Sequence, residues 1–195
     1  MEFSSARARK PKQPLDEAAL YESAVRSLAS KMRTVAELKR LLRARVEPGE
    51  SGEAKVEAVI ARLKERRYLN DTRYANEYAR LRQENEKFGK RRVQQDLAQR
   101  GVHREIISKT LDALYDDIPE ETQLRRFLER KRLRQPQNDK ETARIVRMLV
   151  RAGFRTATIF QVLKQWNVKE DVLADLENMD TGPDTEKDTE RLDEE

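Results

Sequence analysis

The sequence contains no cysteine, which excludes disulfides and thiolate metal sites. Its one histidine, His103, stands just beyond Gly101, with no second histidine to share a metal or a proton. No apolar run approaches the roughly 18 residues of a membrane span, and the basic N-terminus lacks the apolar stretch of a signal peptide. Glycine and proline number only six each, so there are few chain breaks, and no segment alternates as a strand does. These absences predict an all-α, cytoplasmic protein that has no metal or cofactor and does not enter a membrane.

Catalytic constellations are missing as well. Phe88-Gly89-Lys90-Arg91 resembles a phosphate loop only on its surface. Glu84 occupies the place of the required earlier glycine, and Arg91 stands where a magnesium-binding hydroxyl should be. There is no dinucleotide fingerprint, zincin motif or nucleophile elbow. Asp116 and Asp117 are adjacent carboxylates, but they precede Ile118-Pro119 and read as helix caps, as does Asp71. The chain is not expected to be an enzyme, and no residue is assigned a catalytic role.

What is present is charge. Charged residues make up 39% of the chain against 37% hydrophobic, with 41 Lys and Arg against 36 Asp and Glu. Residues 1–14 carry +3 and residues 180–195 carry −6, so the body between them is more basic than the overall +5 suggests. A basic body suits nucleic acid or an acidic protein surface.

A block of the sequence also recurs. Val93, Leu97 and Gly101 return as Ile145, Leu149 and Gly153, and Ile107, Leu111 and Leu114 return as Ile159, Leu163 and Trp166, every pair 52 residues apart. A more divergent copy lies upstream in Leu38, Leu42, Val46, Val59, Ile60 and Leu63. Spacings of three and four place these residues on single helical faces. Periods of this length belong to stacked helical arrays.

The expected architecture is three tandem three-helix repeats, helix-turn-helix-like, over 15–69, 70–117 and 118–179, forming an elongated curved array. A disordered basic arm (1–14) and a disordered acidic tail (180–195) flank it. Tyr21, Val25, Leu28 and Met32 are expected on one face of the first helix. Thr34 with Glu37 forms a capping box, Pro48 to Gly52 a loop, and Glu53–Arg67 a helix. Asn70-Asp71 caps the next helix, which carries Tyr74, Tyr78 and Leu81, and Gly101 and Gly153 take the left-handed position after their helices. Pro119 is expected at a first helical position, Asn138 with Glu141 as a cap, and Val172, Leu173 and Leu176 in a final turn.

Candidate partner contacts are basic. Lys87, Lys90, Arg91 and Arg92 surround Gly89 at a helix start, and Arg100 lies at that helix's far end. Arg144, Arg147 and Arg151 fall at i, i+3 and i+7 beside the apolar face of Ile145 and Leu149. Such a stripe could track a phosphate backbone or an acidic groove. It could equally be surface arginine paired with nearby glutamate. The aromatics Tyr74, Tyr78, Phe127, Phe154, Phe160 and Trp166 all fit core spacing.

Two segments carry a family resemblance. Arg67-Tyr68-Leu69-Asn70-Asp71-Thr72-Arg73-Tyr74-Ala75 and Gly89-Lys90-Arg91-Arg92-Val93-Gln94-Gln95-Asp96-Leu97-Ala98-Gln99-Arg100-Gly101-Val102 are similar to segments of the RecX family of recombinase regulators. More loosely, the resemblance covers residues 17–168; the 47–52 loop and the acidic tail fall outside it. It implies three three-helix units and binding in the groove of a RecA filament on single-stranded DNA, and the chain is expected to be a monomer. It also implies restraint of the filament's ATPase and strand exchange, with at most weak direct DNA contact. The competing expectation is a direct nucleic-acid reader using helix pairs such as 34–45 and 53–67, for which the intervening linker is long.

Overall fold

The structure, a computed structural model, describes residues 13–166 and 168. Among these lie nine α-helices and no strand. In order they are α1 (Glu17–Ser30), α2 (Val35–Arg43), α3 (Glu50–Glu65), α4 (Asp71–Leu81), α5 (Lys90–Gln99), α6 (Arg104–Tyr115), α7 (Glu120–Arg130), α8 (Asp139–Arg151) and α9 (Thr156–Lys164). A π-helical segment, Arg82–Glu86, continues α4. The acidic tail, the final turn around Leu173, and all of the basic arm except residues 13 and 14 lie outside the described residues. The described residues fall into two compact units, 13–78 with 97–110, and 79–96 with 111–166 and 168.

In the first unit α1 and α2 both pack on α3. Leu20 and Ala24, Leu38 and Leu42, and Val56, Val59, Ile60 and Leu63 bury together, closed by Leu69. Each large aliphatic side chain so buried contributes about 1.5–3 kcal/mol. The capping box forms as expected: the Glu37 N–H donates to Thr34 Oγ1 at 3.0 Å, and the Thr34 N–H donates to Glu37 Oε2 at 3.4 Å.

Several sequence expectations shift here. The buried stripe of α1 is Leu20 and Ala24, one position from the expected one. Tyr21, Val25 and Leu28 are half-buried beside it, and α1 ends at Ser30, leaving Met32 47% exposed. Tyr21 is amphipathic and stays at the edge of the core, its hydroxyl accepting from Arg66 at 3.4 Å. Helix α3 begins at Glu50 rather than Glu53. Gly49, at φ +111°, makes the turn into it, and Gly52 sits where an added Cβ would lie 1.9 Å from the Glu47 carbonyl oxygen. Leu81, expected on a core face, is 45% exposed. Asn70, not Asp71, caps α4, accepting from the Arg73 N–H at 2.9 Å.

In the second unit α7 and α8 pack on α9 in the same manner. Leu124, Phe127, Leu128, Ile145, Val146, Leu149, Phe154, Ile159, Phe160 and Leu163 form its core. The Phe127 ring meets Phe154 edge-on at 5.6 Å and lies 6.5 Å from Phe88. The buried Tyr115 hydroxyl donates to the Phe88 carbonyl at 3.0 Å, and burial pushes its pKa up.

The recurrent glycines occupy equivalent joints. In the first unit Thr34 Oγ1, at the start of α2, donates to the Arg100 carbonyl at 2.6 Å. In the second, the Gly89 N–H, just before α5, donates to the Ala152 carbonyl at 2.8 Å. Arg100 and Ala152 each precede a glycine at positive φ, Gly101 at +75° and Gly153 at +91°. Both glycines lie against the first turn of the helix they join. An added Cβ would be 2.4 Å from Ala36 Cβ in one case and 2.3 Å from the Arg92 nitrogen in the other.

Pro119 immediately precedes α7, which begins at Glu120, one residue later than expected; Pro119 contributes no side-chain cap. Glu120 instead caps α9, accepting from the Arg155 N–H at 3.1 Å, Arg155 Nε at 2.8 Å and Thr158 Oγ1 at 2.6 Å. Burial alone would raise the Glu120 pKa, but these bonds together hold it below its usual value. Because the folded value is depressed, the stabilisation is present above the ordinary carboxylate pKa and disappears as pH falls through the folded one. Glu120→Gln should therefore cost about 1–3 kcal/mol at neutral pH. In urea melts the deficit should shrink steadily below about pH 4.5; a deficit that does not vary with pH would contradict this.

Candidate functional site

The sequence candidates near Gly89 are largely engaged inside the protein. Lys90 opens α5, and its Nζ lies 2.8 Å from both Asp112 Oδ1 and Asp116 Oδ1. Those two hydrogen bonds raise the Lys90 pKa. Asp116 is thus an ion-pair partner, not the helix cap expected from its position. Arg92 Nε lies 3.1 Å from Asp96 Oδ1, with the guanidinium 5.9 Å from the Phe88 ring centre. Arg100 is held by Glu37 at 2.7 Å and lies 4.9 Å over the Tyr78 ring. These side chains fasten helix ends.

Lys87 and Arg91 are less committed. Lys87 is half-buried and ends the π-helical segment at φ +56°. Arg91 is exposed on the rim of an open cleft of about 520 Å³, shared with Gln94, Tyr115, Glu120 and Arg155. That cleft mixes both charges and contains no nucleophile–base pair. Among the described residues, no group of three or more His, Asp or Glu is placed to hold a metal ion. His103 is exposed, and its carbonyl accepts from the Ile107 N–H at 3.1 Å as α6 begins.

The stripe on α8 differs. Arg144, Arg147 and Arg151 are exposed, while Ile145, Val146 and Leu149 on the same helix are buried. Among the described residues none of the three arginines pairs with a carboxylate. Like charges three and four residues apart destabilise a helix by about 0.2–0.5 kcal/mol per pair. The equivalent positions on α5 are Arg92, Gln95 and Gln99, so the unpaired stripe is not repeated on α5. Spacing could have revealed only the Arg92–Asp96 pair at i and i+4; the partners of Lys90 and Arg100, which are Asp112, Asp116 and Glu37, are distant in sequence.

With this geometry in hand, the chain can be set beside known proteins. A profile of the RecX second three-helix domain matches residues 70–111. Regulatory protein RecX of Leptothrix cholodnii is 34% identical over 142 residues, spanning 72% of this chain and 85% of the relative. The chain belongs to the RecX family. Regulatory protein RecX of Mycolicibacterium smegmatis is 34% identical over 146 residues, spanning 71% of this chain and 74% of its own.

The RecX fold is shared too. A crystal structure of RecX from Lactobacillus salivarius superposes with a TM-score of 0.59 at 19% identity, covering 77% of this chain and 96% of the other. A second, of regulatory protein RecX, gives 0.63 at 20% identity, covering 76% and 73%. The relatives are named regulatory proteins, and a regulatory role follows for this RecX member. Among the described residues no helix is long and apolar enough to cross a membrane. The RecX profile includes Lys90, Arg91, Arg92 and Arg100, whereas the α8 stripe lies beyond it.

Proposed function

We propose that this chain regulates recombination and repair in the cytoplasm. It binds RecA nucleoprotein filaments on single-stranded DNA as a monomer and restrains their ATPase and strand exchange. Membership of the RecX family carries this reading. The helical repeats, over 15–69, 70–117 and 118–179, would act as a scaffold whose surface, rather than any reactive group, performs the work.

Contact is assigned to Arg144, Arg147 and Arg151, with Lys87 and Arg91 in support, because unpaired guanidinium groups remain available to an anionic surface. Lys90, Arg92 and Arg100 keep their helix ends in position for that contact. The test is RecA ATPase on single-stranded DNA titrated with the full chain, with co-sedimentation of protein and filaments. Saturating inhibition is expected. Neither inhibition nor co-sedimentation would defeat the reading, and a sequence-selective affinity for naked DNA would favour a direct nucleic-acid regulator instead.

A further inference from the structure

The end of α3 concentrates positive charge around aromatic rings, outside every residue assigned above. Tyr21 lies under two guanidinium groups, with Arg62 at 4.4 Å and Arg66 at 5.7 Å from its ring centre. The ring holds both cations without neutralising them. Arg67 then turns the chain at φ +58°, a conformation that glycine adopts without strain and arginine does not. The turn itself is held by backbone alone: the Tyr68 and Leu69 N–H groups both donate to the Leu63 carbonyl, at 3.0 and 3.3 Å. Tyr68 is left 60% exposed, more than either Met32 or Leu81.

Among the described residues, Arg62, Lys64, Arg66 and Arg67 form no ion pair. Glu65 is the one carboxylate among residues 62–68. An exposed aromatic on the turn that follows several uncompensated guanidinium groups at the end of α3 matches the two needs of a nucleic-acid strand. Any base can stack on the ring, and the adjacent phosphates need cations. Protein surfaces also recruit tyrosine and arginine, and the filament arm of the test below separates that partner from nucleic acid.

We propose that the end of α3 is a contact for single-stranded nucleic acid, with Tyr68 stacking on a base while Arg62, Arg66 and Arg67 engage the flanking phosphates. This deepens the direct nucleic-acid contact expected beside RecA, and its test needs no RecA. Binding of the full chain to a fluorescein-labelled twenty-nucleotide oligo-dT is followed by anisotropy over a range of salt concentrations. Tyr68→Ala should weaken binding roughly 5- to 100-fold with an unchanged salt slope, while Tyr68→Phe stays within about twofold. Arg62→Gln with Arg66→Gln should flatten the slope of log affinity against log salt by about 1.4, the value for two single-strand phosphates.

Irradiation of an oligonucleotide carrying 5-iododeoxyuridine should crosslink the peptide containing Tyr68. Oligonucleotide binding unaffected by Tyr68→Ala would overturn the proposal. So would a Tyr68→Ala defect confined to co-sedimentation with RecA filaments, which would make the patch a protein contact. A chain that fails to inhibit RecA but shows the Tyr68 effect on oligo-dT would defeat the filament reading and leave this one standing.

Discussion

Replacing Arg144, Arg147 and Arg151 together by glutamate is expected to weaken binding to RecA filaments by about 100-fold while leaving helicity intact. The three side chains are exposed and free of carboxylate partners among the described residues, so their loss breaks nothing internal. Charge-assisted contacts contribute about 1 kcal/mol each at a partly solvated interface, and 1.4 kcal/mol is a factor of ten. Reversal also adds repulsion. The fold cost is small: Ile145, Val146 and Leu149 still bury one face of α8, and an acid in the last turn costs about 0.3–1 kcal/mol through the helix dipole. Co-sedimentation and the concentration giving half-inhibition of ATPase are the readouts, with circular dichroism for folding. Unchanged binding would return the stripe to solvent.

The second large effect is on stability. Gly153→Ala should cost about 2–5 kcal/mol, read as a lower midpoint in urea denaturation. Two penalties combine here. Gly153 has φ +91°, a conformation that costs a residue with a Cβ about 1–2 kcal/mol. The new Cβ would also lie 2.3 Å from the Arg92 nitrogen and 2.9 Å from its Cα. Backbone cannot swing aside as a side chain can, so overpacking adds about 1–3 kcal/mol. Gly49→Ala separates the terms, since Gly49 has φ +111° with nothing within 4 Å of an added Cβ. It should cost about 1–3 kcal/mol, since φ +111° with ψ −176° is a conformation reserved almost wholly to glycine. A Gly153→Ala loss of no more than about 1–2 kcal/mol, the backbone term alone, would refute the collision.

Much of this fold can be read in the residues. The pairs separated by 52 residues turn out to be buried alike: Val93 with Ile145, Leu97 with Leu149, Ile107 with Ile159 and Leu111 with Leu163. Gly101 and Gly153 both adopt the left-handed conformation, because glycine there has a local reason that spacing reveals. Capping by Thr34 and Asn138 was legible for the same reason.

Long-range pairing was not. The side chain of Asp71 accepts from the Val35 N–H at 2.9 Å, although its own helix start offered a nearer use. Burial raises its pKa, and the Val35 hydrogen bond opposes that shift. Glu120 reads as a carboxylate favouring its own helix dipole, yet its partners are Arg155 and Thr158. Tyr68 stands in the family segment with no role assigned to it, and it follows the turn at Arg67 with 60% of its surface exposed. Helical periodicity constrains a residue's face and shows i,i+4 pairs such as Arg92–Asp96; it says nothing of which charges meet across helices.

The joints at Gly101 and Gly153 have an evolutionary consequence. The joint at Gly153 is sealed by main chain alone, Gly89 N–H on the Ala152 carbonyl, and by the absence of a side chain, whereas the joint at Gly101 asks in addition for the Thr34 hydroxyl. Lineages can then exchange most surface and many interior residues while the splice between helices endures. The retention of this topology at 19% and 20% identity is what seams with so few side-chain requirements would permit.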